Sequence, residues 1–362
     1  MKKTFFYLLI FVSFIVSTFT ACTTSVRLNQ KSTSVPMQTQ EDGYISIPVY
    51  YGTNRNKINT DKTNMYGGEW TNEIKYGYYK ASIPKNHKKG EIEQANIYRK
   101  ILGQDYDPTR YINILENKNL TKDEFLNLLS QSLNNDKEDH AFIFIHGYNN
   151  SFKDAALRTA QLYYDLSYKG VPILYSWPSI AETEGYFTDA KQIEKSINLF
   201  QQFITDISKN NPNKKINIIA HSMGNRLLIN AIDKLEKENP EIKFENIILA
   251  APDVAKNDFI SKHYNNIVKS AKNITLYCSK KDIALKASKI INKQNRLGYA
   301  GKDILKKEPI NTVDITKVDK CGDFLNHTCF ANTKLIIDDI SNLLQENPLN
   351  REFNNGIHYI KQ

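Results

Sequence analysis

Ser222 sits in the run Ile216-Asn217-Ile218-Ile219-Ala220-His221-Ser222-Met223-Gly224-Asn225, between an apolar stretch and a helical pattern. A small residue two before and two after a serine, with a strand ahead and a helix behind, is the layout of a nucleophile elbow. The turn is tight enough to demand small side chains at Ala220 and Gly224, while His221 and Met223 fill the positions next to the serine. A serine held this way stands at the head of a helix, whose positive end favours a developing oxyanion.

A second run, Phe142-Ile143-Phe144-Ile145-His146-Gly147-Tyr148, is a strand ending in His-Gly. Gly147 lets the chain turn, so that the backbone N–H of Tyr148 can pair with that of Met223 as an oxyanion hole. His146 precedes the serine and is expected to be structural. Downstream of Ser222 lie His263, His327 and His358. His263 falls between two expected strands and His358 near a polar C-terminus, whereas His327 follows the last expected strand. It is therefore the candidate base. Asp282, in Ser279-Lys280-Lys281-Asp282, is the preferred acid. Asp253, in Ala250-Ala251-Pro252-Asp253, is the alternative, and Asp323 is too near His327 in sequence to be preferred. Serine, then aspartate, then histidine along the chain imply acyl transfer through a covalent intermediate, with no metal or cofactor.

The elements that must position these groups are short apolar runs alternating with helical patterns. Strands are expected at 45–51, 78–83, 141–145, 171–176, 216–220, 246–251, 274–278 and 313–316, the first an edge because it holds Pro48. Helices are expected at 122–133, 151–168, 189–209, 223–238, 283–292 and 331–344, with a further one past Asp258. Doubly buried strands separated by helices make a mostly parallel α/β sheet of about eight strands, covered on both faces. Ligands in such sheets bind at the carboxyl ends of the strands, where the motifs fall. The stretch 92–139 reads as polar and irregular apart from its one helix. Trp177, Tyr186 and Phe187 are candidates to line an acyl pocket.

Taken together, Tyr50-Tyr51-Gly52-Thr53-Asn54-Arg55, Ile145-His146-Gly147-Tyr148-Asn149, Tyr175-Ser176-Trp177-Pro178-Ser179, Ala220-His221-Ser222-Met223-Gly224-Asn225, Ala251-Pro252-Asp253, Asp282-Ile283-Ala284-Leu285, Arg296-Leu297-Gly298-Tyr299-Ala300-Gly301 and Asn326-His327 resemble a bacterial α/β-hydrolase family of unknown function in the esterase/lipase superfamily. The resemblance implies the α/β-hydrolase fold and carries a triad onto Ser222, Asp282 and His327. It names no substrate. Asn326-His327-Thr328-Cys329 is more polar than that family's usual Gly-His-Ser-aromatic run.

The N-terminus reads as a targeting segment. Lys2 and Lys3 precede an apolar stretch from Phe5 to Phe19, followed by Thr20-Ala21-Cys22. Residues 1–21 are expected to be a signal peptide, Cys22 a lipidated cysteine, 22–42 a flexible tether and 43–362 one hydrolase domain. Two acyl chains on Cys22 would anchor the protein stably to a membrane, the outer one in a cell with two. The net charge of +9 falls to +7 without Lys2 and Lys3, and the remaining lysines form no long run. A nucleic-acid partner is therefore not expected. Cys321 and Cys329 flank His327, and a bridge between them is conceivable in an exported protein. The expected substrate is a small ester or an exposed acyl group. An amide or thioester, or a purely binding role on the same scaffold, are the alternatives.

Overall fold

A computed structural model describes residues 38–58, 65–135, 139–318 and 321–361. The expected signal peptide, Cys22 and most of the tether lie outside the described residues.

In chain order the strands are β1 (Thr39–Gln40), β2 (Tyr44–Lys57), β3 (Tyr66–Pro84), β4 (Ile114–Leu120), β5 (His140–Ile145), β6 (Val171–Ser176), β7 (Lys215–His221), β8 (Phe244–Ala250), β9 (Ala271–Cys278), β10 (Ile310–Asp314), β11 (Arg351–Asn354) and β12 (Ile357–Ile360). The helices that matter to the site are α1 (Lys122–Asn135), α2 (Phe152–Asp165), α3 (Tyr186–Asn210), α4 (Gly224–Glu238), α5 (Ile283–Asn292) and α6 (Lys334–Leu344). The strands form one sheet in the order β11-β12-β10-β9-β8-β7-β5-β6-β2-β3-β4, with β1 paired to β2. From β12 to β2 every neighbour is parallel. Antiparallel strands close both edges.

Side chains alternate across each strand and feed two cores. Ile143, Ile145 and Ile218 face a layer that includes Phe200, Phe203 and Leu227 of α3 and α4. Phe142, Phe144 and Ile219 face the opposite layer, with Phe152 of α2 and Ile337 of α6. Ser151 opens α2 through a reciprocal capping box with Asp154. The chain runs from β5 to β6 on one side and then returns to β7 on the other side of β5. The carboxyl ends of β5 and β7 therefore meet at a switch point, where a crevice forms.

The sheet is wider than the eight strands read from the sequence. β4 emerges from the 92–139 stretch, and the C-terminal hairpin of β11 and β12 adds to the other edge, putting His358 in a strand beside Val313. Strand β2 is also not an edge, because it lies between β6 and β3. It tolerates Pro48 because its ladder with β6 begins only at Tyr50.

Candidate active site

The turn after β7 forces Ser222 into a left-handed conformation, φ 52°. Such strain in a residue with a side chain persists only where the surroundings hold it. Here the Ser222 N–H donates to the Ala250 carbonyl at 3.0 Å, and the Asp253 N–H donates to the Ser222 carbonyl at 3.1 Å. The Asn225 amide donates to the carbonyls of Ala220 and Ser222 at 3.0 and 3.1 Å. In the sequence this role of Asn225 is marked only by its place just after Gly224. A Cβ on Gly224 would overlap the His146 carbonyl oxygen, so α4 can start this close to β5 only with glycine there.

His327 comes from the loop after β10. Its Nε2 accepts from the Ser222 hydroxyl at 2.7 Å and its Nδ1–H donates to Asp282 Oδ2 at 2.7 Å. Asp282 is the N-cap of α5, its Oδ1 accepting from the Leu285 N–H at 2.8 Å. The His327 loop is bracketed by a disulfide between Cys321 and Cys329. Asp323 also holds it, accepting from the N–H groups of His327 and Thr328 at 3.1 and 2.8 Å. Burial opposes charge on the imidazole, but the Asp282 carboxylate outweighs it, so the His327 pKa lies above its ordinary value. His221 Nε2–H donates to the His327 carbonyl at 3.1 Å. Burial, and then the nearby His327, push the His221 pKa well down, leaving it neutral.

Asp253 is not hydrogen-bonded to His327. Its carboxylate accepts from Arg296 Nε and Arg226 Nη2, both at 2.7 Å, from Tyr186 at 2.9 Å, and from Ser288. Burial would raise its pKa, but the two arginines outweigh it and hold the carboxyl below its usual range. The alternative acid is thus spent on cross-linking the loops behind the site. His263 pairs with Asp233, away from Ser222.

His146 is buried and flat against Trp177, ring centroids 4.9 Å apart. Burial, followed by the charge of Arg55, pushes its pKa down to about 3. Its Nδ1–H donates to the Gly147 carbonyl at 2.8 Å. That carbonyl and the Tyr148 N–H belong to one trans peptide and point opposite ways. Anchoring the first inward therefore turns the second outward. Gly147 lies against the elbow, since a Cβ on it would come within 2.9 Å of the Ser222 Cβ. Among the described residues neither the Tyr148 nor the Met223 N–H donates to a protein acceptor.

Residues 121–346 match the profile of a family described as alpha/beta hydrolase of unknown function (DUF900). The chain belongs to this family. The crystal structure of a predicted CIB-like hydrolase from Thermoplasma acidophilum is similar to it, with 17% identity and a TM-score of 0.32 over 64% of this chain and 91% of that one. No curated protein matches the chain.

In this family member a cleft of about 400 Å³ opens over Ser222 and His327, walled by Tyr148, Tyr186, Leu285, Ile291 and Phe324 among others. Of the three aromatics expected to line a pocket, Tyr186 does so. Trp177 is fully buried beneath His146, donating Nε1–H to its carbonyl at 2.8 Å, and Phe187 is exposed outside the cleft. Among the described residues no cluster of three or more His, Cys, Asp or Glu is arranged to hold a metal ion. The sequence also gave Arg55 no role beyond its motif. It is buried and donates to Ser176 Oγ and to the carbonyls of Gly67, Ser179 and Asn150 at 2.7–3.0 Å. One guanidinium thus ties the end of β2 to the loops after β5 and β6.

Proposed function

We propose that this protein is a serine hydrolase acting on carboxylic esters at the bacterial cell envelope, held there by a lipid on Cys22. His327 takes the Ser222 proton as Oγ attacks the acyl carbonyl. The N–H groups of Tyr148 and Met223 stabilise the tetrahedral oxyanion. As the ester C–O bond breaks, His327 returns the proton to the departing alcohol, leaving an acyl-Ser222 ester. Water, deprotonated by His327, then releases the carboxylic acid and restores the serine. Asp282 holds the imidazole tautomer and stabilises its charged form.

The observation that carries this reading is the unbroken hydrogen-bonded relay from Ser222 through His327 to Asp282, both links 2.7 Å, opening into a cleft. The test is fluorophosphonate labelling of the purified chain beside Ser222→Ala, with turnover of nitrophenyl esters, thioesters and peptide amides on the same samples. Labelling that disappears in Ser222→Ala, with turnover of the esters, is expected. A folded wild type that neither labels nor turns over any of the three would sink the enzyme reading in favour of a binding role. Preferential turnover of amides or thioesters would reassign the bond cleaved.

A further inference from the structure

Helix α5, capped by Asp282, runs along the rim of the cleft. Its inner face supplies Leu285 and Ser288 to the cleft wall. Its outer face presents Ile283, Lys286, Lys289 and Ile290 to solvent and continues into exposed Lys293. Ile290 is 76% exposed. The adjoining His327 loop is tied to α5 by the Ile283 N–H, which donates to the Leu325 carbonyl at 2.9 Å, and it lifts Phe324 to 89% exposure. Phe187, 65% exposed, stands beside the cleft-lining Tyr186 with centroids 5.6 Å apart. Large apolar side chains gathered round an opening, rather than scattered, mark a surface that meets an apolar partner.

Charge selects the partner. Among the described residues Lys286, Lys289 and Lys293 form no ion pair, although Lys289 lies over the Tyr299 ring. At the opposite end of the sheet Lys214, Lys215, Lys243 and Lys272 are paired with Asp139, Glu346, Glu236 and Glu245. Exposed isoleucines and phenylalanines beside unneutralised lysines are the composition of a helix that lies in the headgroup region of an anionic bilayer.

We propose that the α5 rim docks on an anionic lipid surface, and that Ser222 cleaves acyl esters of amphiphiles presented from that surface. The substrate half rests on the serine-hydrolase reading. Water is the co-reactant, and the products are a fatty acid and the alcohol that carried it.

The docking test uses the full chain with Cys22→Ser and Ile290→Cys. Cys278 is buried and Cys321 is bridged to Cys329, so the introduced thiol takes an environment-sensitive fluorophore. Vesicles of phosphatidylcholine with phosphatidylglycerol should shift its emission to the blue, and vesicles of phosphatidylcholine alone should not. The same fluorophore on Lys215→Cys should stay unshifted. Adding Lys286→Glu and Lys293→Glu should weaken partition by about fivefold for each lysine lost, or more. No shift at position 290, or an equal shift at 215, overturns the docking, as does dimerisation through Ile290 without vesicle binding. The substrate test compares a long-chain ester in anionic vesicles with a soluble short-chain ester. Lys286→Glu with Lys293→Glu should slow the first in proportion to lost binding and spare the second. Equal loss of both overturns the proposal. A wild type inert on both esters that still shows the shift would overturn the hydrolase reading and leave the docking standing.

Discussion

Asp282 turns Oδ2 to His327 Nδ1 at 2.7 Å while its Oδ1 caps α5 through the Leu285 N–H at 2.8 Å. The carboxylate that faces the imidazole is therefore oriented by the start of a helix. Asp253, the competing acid, has its oxygens taken by two arginines, a tyrosine and a serine. The two aspartates should respond differently to the same change. Asp282→Asn should lower ester turnover by about 10⁴-fold with the fold intact, because the wrong imidazole tautomer is then favoured. Asp253→Asn should instead lower stability by about 3 kcal/mol or more, since it removes the negative charge that neutralises buried Arg296. Turnover and thermal melting of both variants check this; the reverse pattern would exchange their roles.

The pH profile carries the same relationship. His327 must be neutral to accept the serine proton, and its pKa is raised by Asp282. Turnover should therefore climb with pH along a limb centred above the ordinary histidine value of about 6.5. In Asp282→Asn the main cause of the rise is gone, so the residual limb should move down. A limb unmoved by that substitution would mean another group titrates.

Arg55 should be felt in both stability and turnover. Its removal leaves the carbonyls of Gly67, Ser179 and Asn150 without their buried donor. Arg55→Ala should cost about 3 kcal/mol or more in thermal or urea melting. Arg55→Lys keeps the charge but not the planar fork, and should recover only part of that loss. Because Asn150 lies just beyond Tyr148, kcat should fall more than KM rises. Full recovery by lysine would reduce the role of Arg55 to charge alone.

The Cys321–Cys329 bridge closes a short loop, with a sequence separation of 8. Loop-closure entropy assigns such a bridge about 2 to 3 kcal/mol. Cys321→Ser with Cys329→Ser should lower the melting temperature and slow fluorophosphonate labelling, because the loop holds His327. Alkylation of both cysteines in the denatured, non-reduced chain would remove the premise.

His87 offers a pH test away from the site. It is buried between Glu93 and Asp165, at 2.8 and 2.9 Å. Burial opposes its charge, but the two carboxylates outweigh it and raise its pKa to about 9. A raised folded-state pKa stabilises fully below the unfolded value of about 6.5, and the contribution fades as pH climbs through 9. On the order of 3 kcal/mol should be lost across that window in the wild type, and His87→Gln should lack the loss. Parallel melting curves for the two proteins would contradict it.

Several features were readable because their causes are local. The elbow is written in Ala220, Ser222 and Gly224, since only small residues fit a turn pressed against β5. The central strands are written as unbroken apolar runs, because a parallel sheet is buried on both faces. Strand β4 was not readable, as its exposed edge keeps a polar sequence, Ile-Leu-Glu-Asn-Lys-Asn-Leu. The terminal hairpin did leave a signal in Asn355-Gly356, whose positive φ values of 50° and 78° suit a two-residue hairpin turn.

The sequence by itself determined the order of the central elements, the tight serine turn and the candidates for each role, because these depend on neighbours a few residues apart. Only the tertiary structure set Asp282, and not Asp253, against His327, since that rests on which carboxylate meets a histidine 45 or 74 residues away. It also buried Trp177 under His146 and set Arg55 between strand β3 and the loops after β5 and β6. These are distances between segments far apart in the chain, fixed by how the sheet stacks its strands, and no local pattern encodes them.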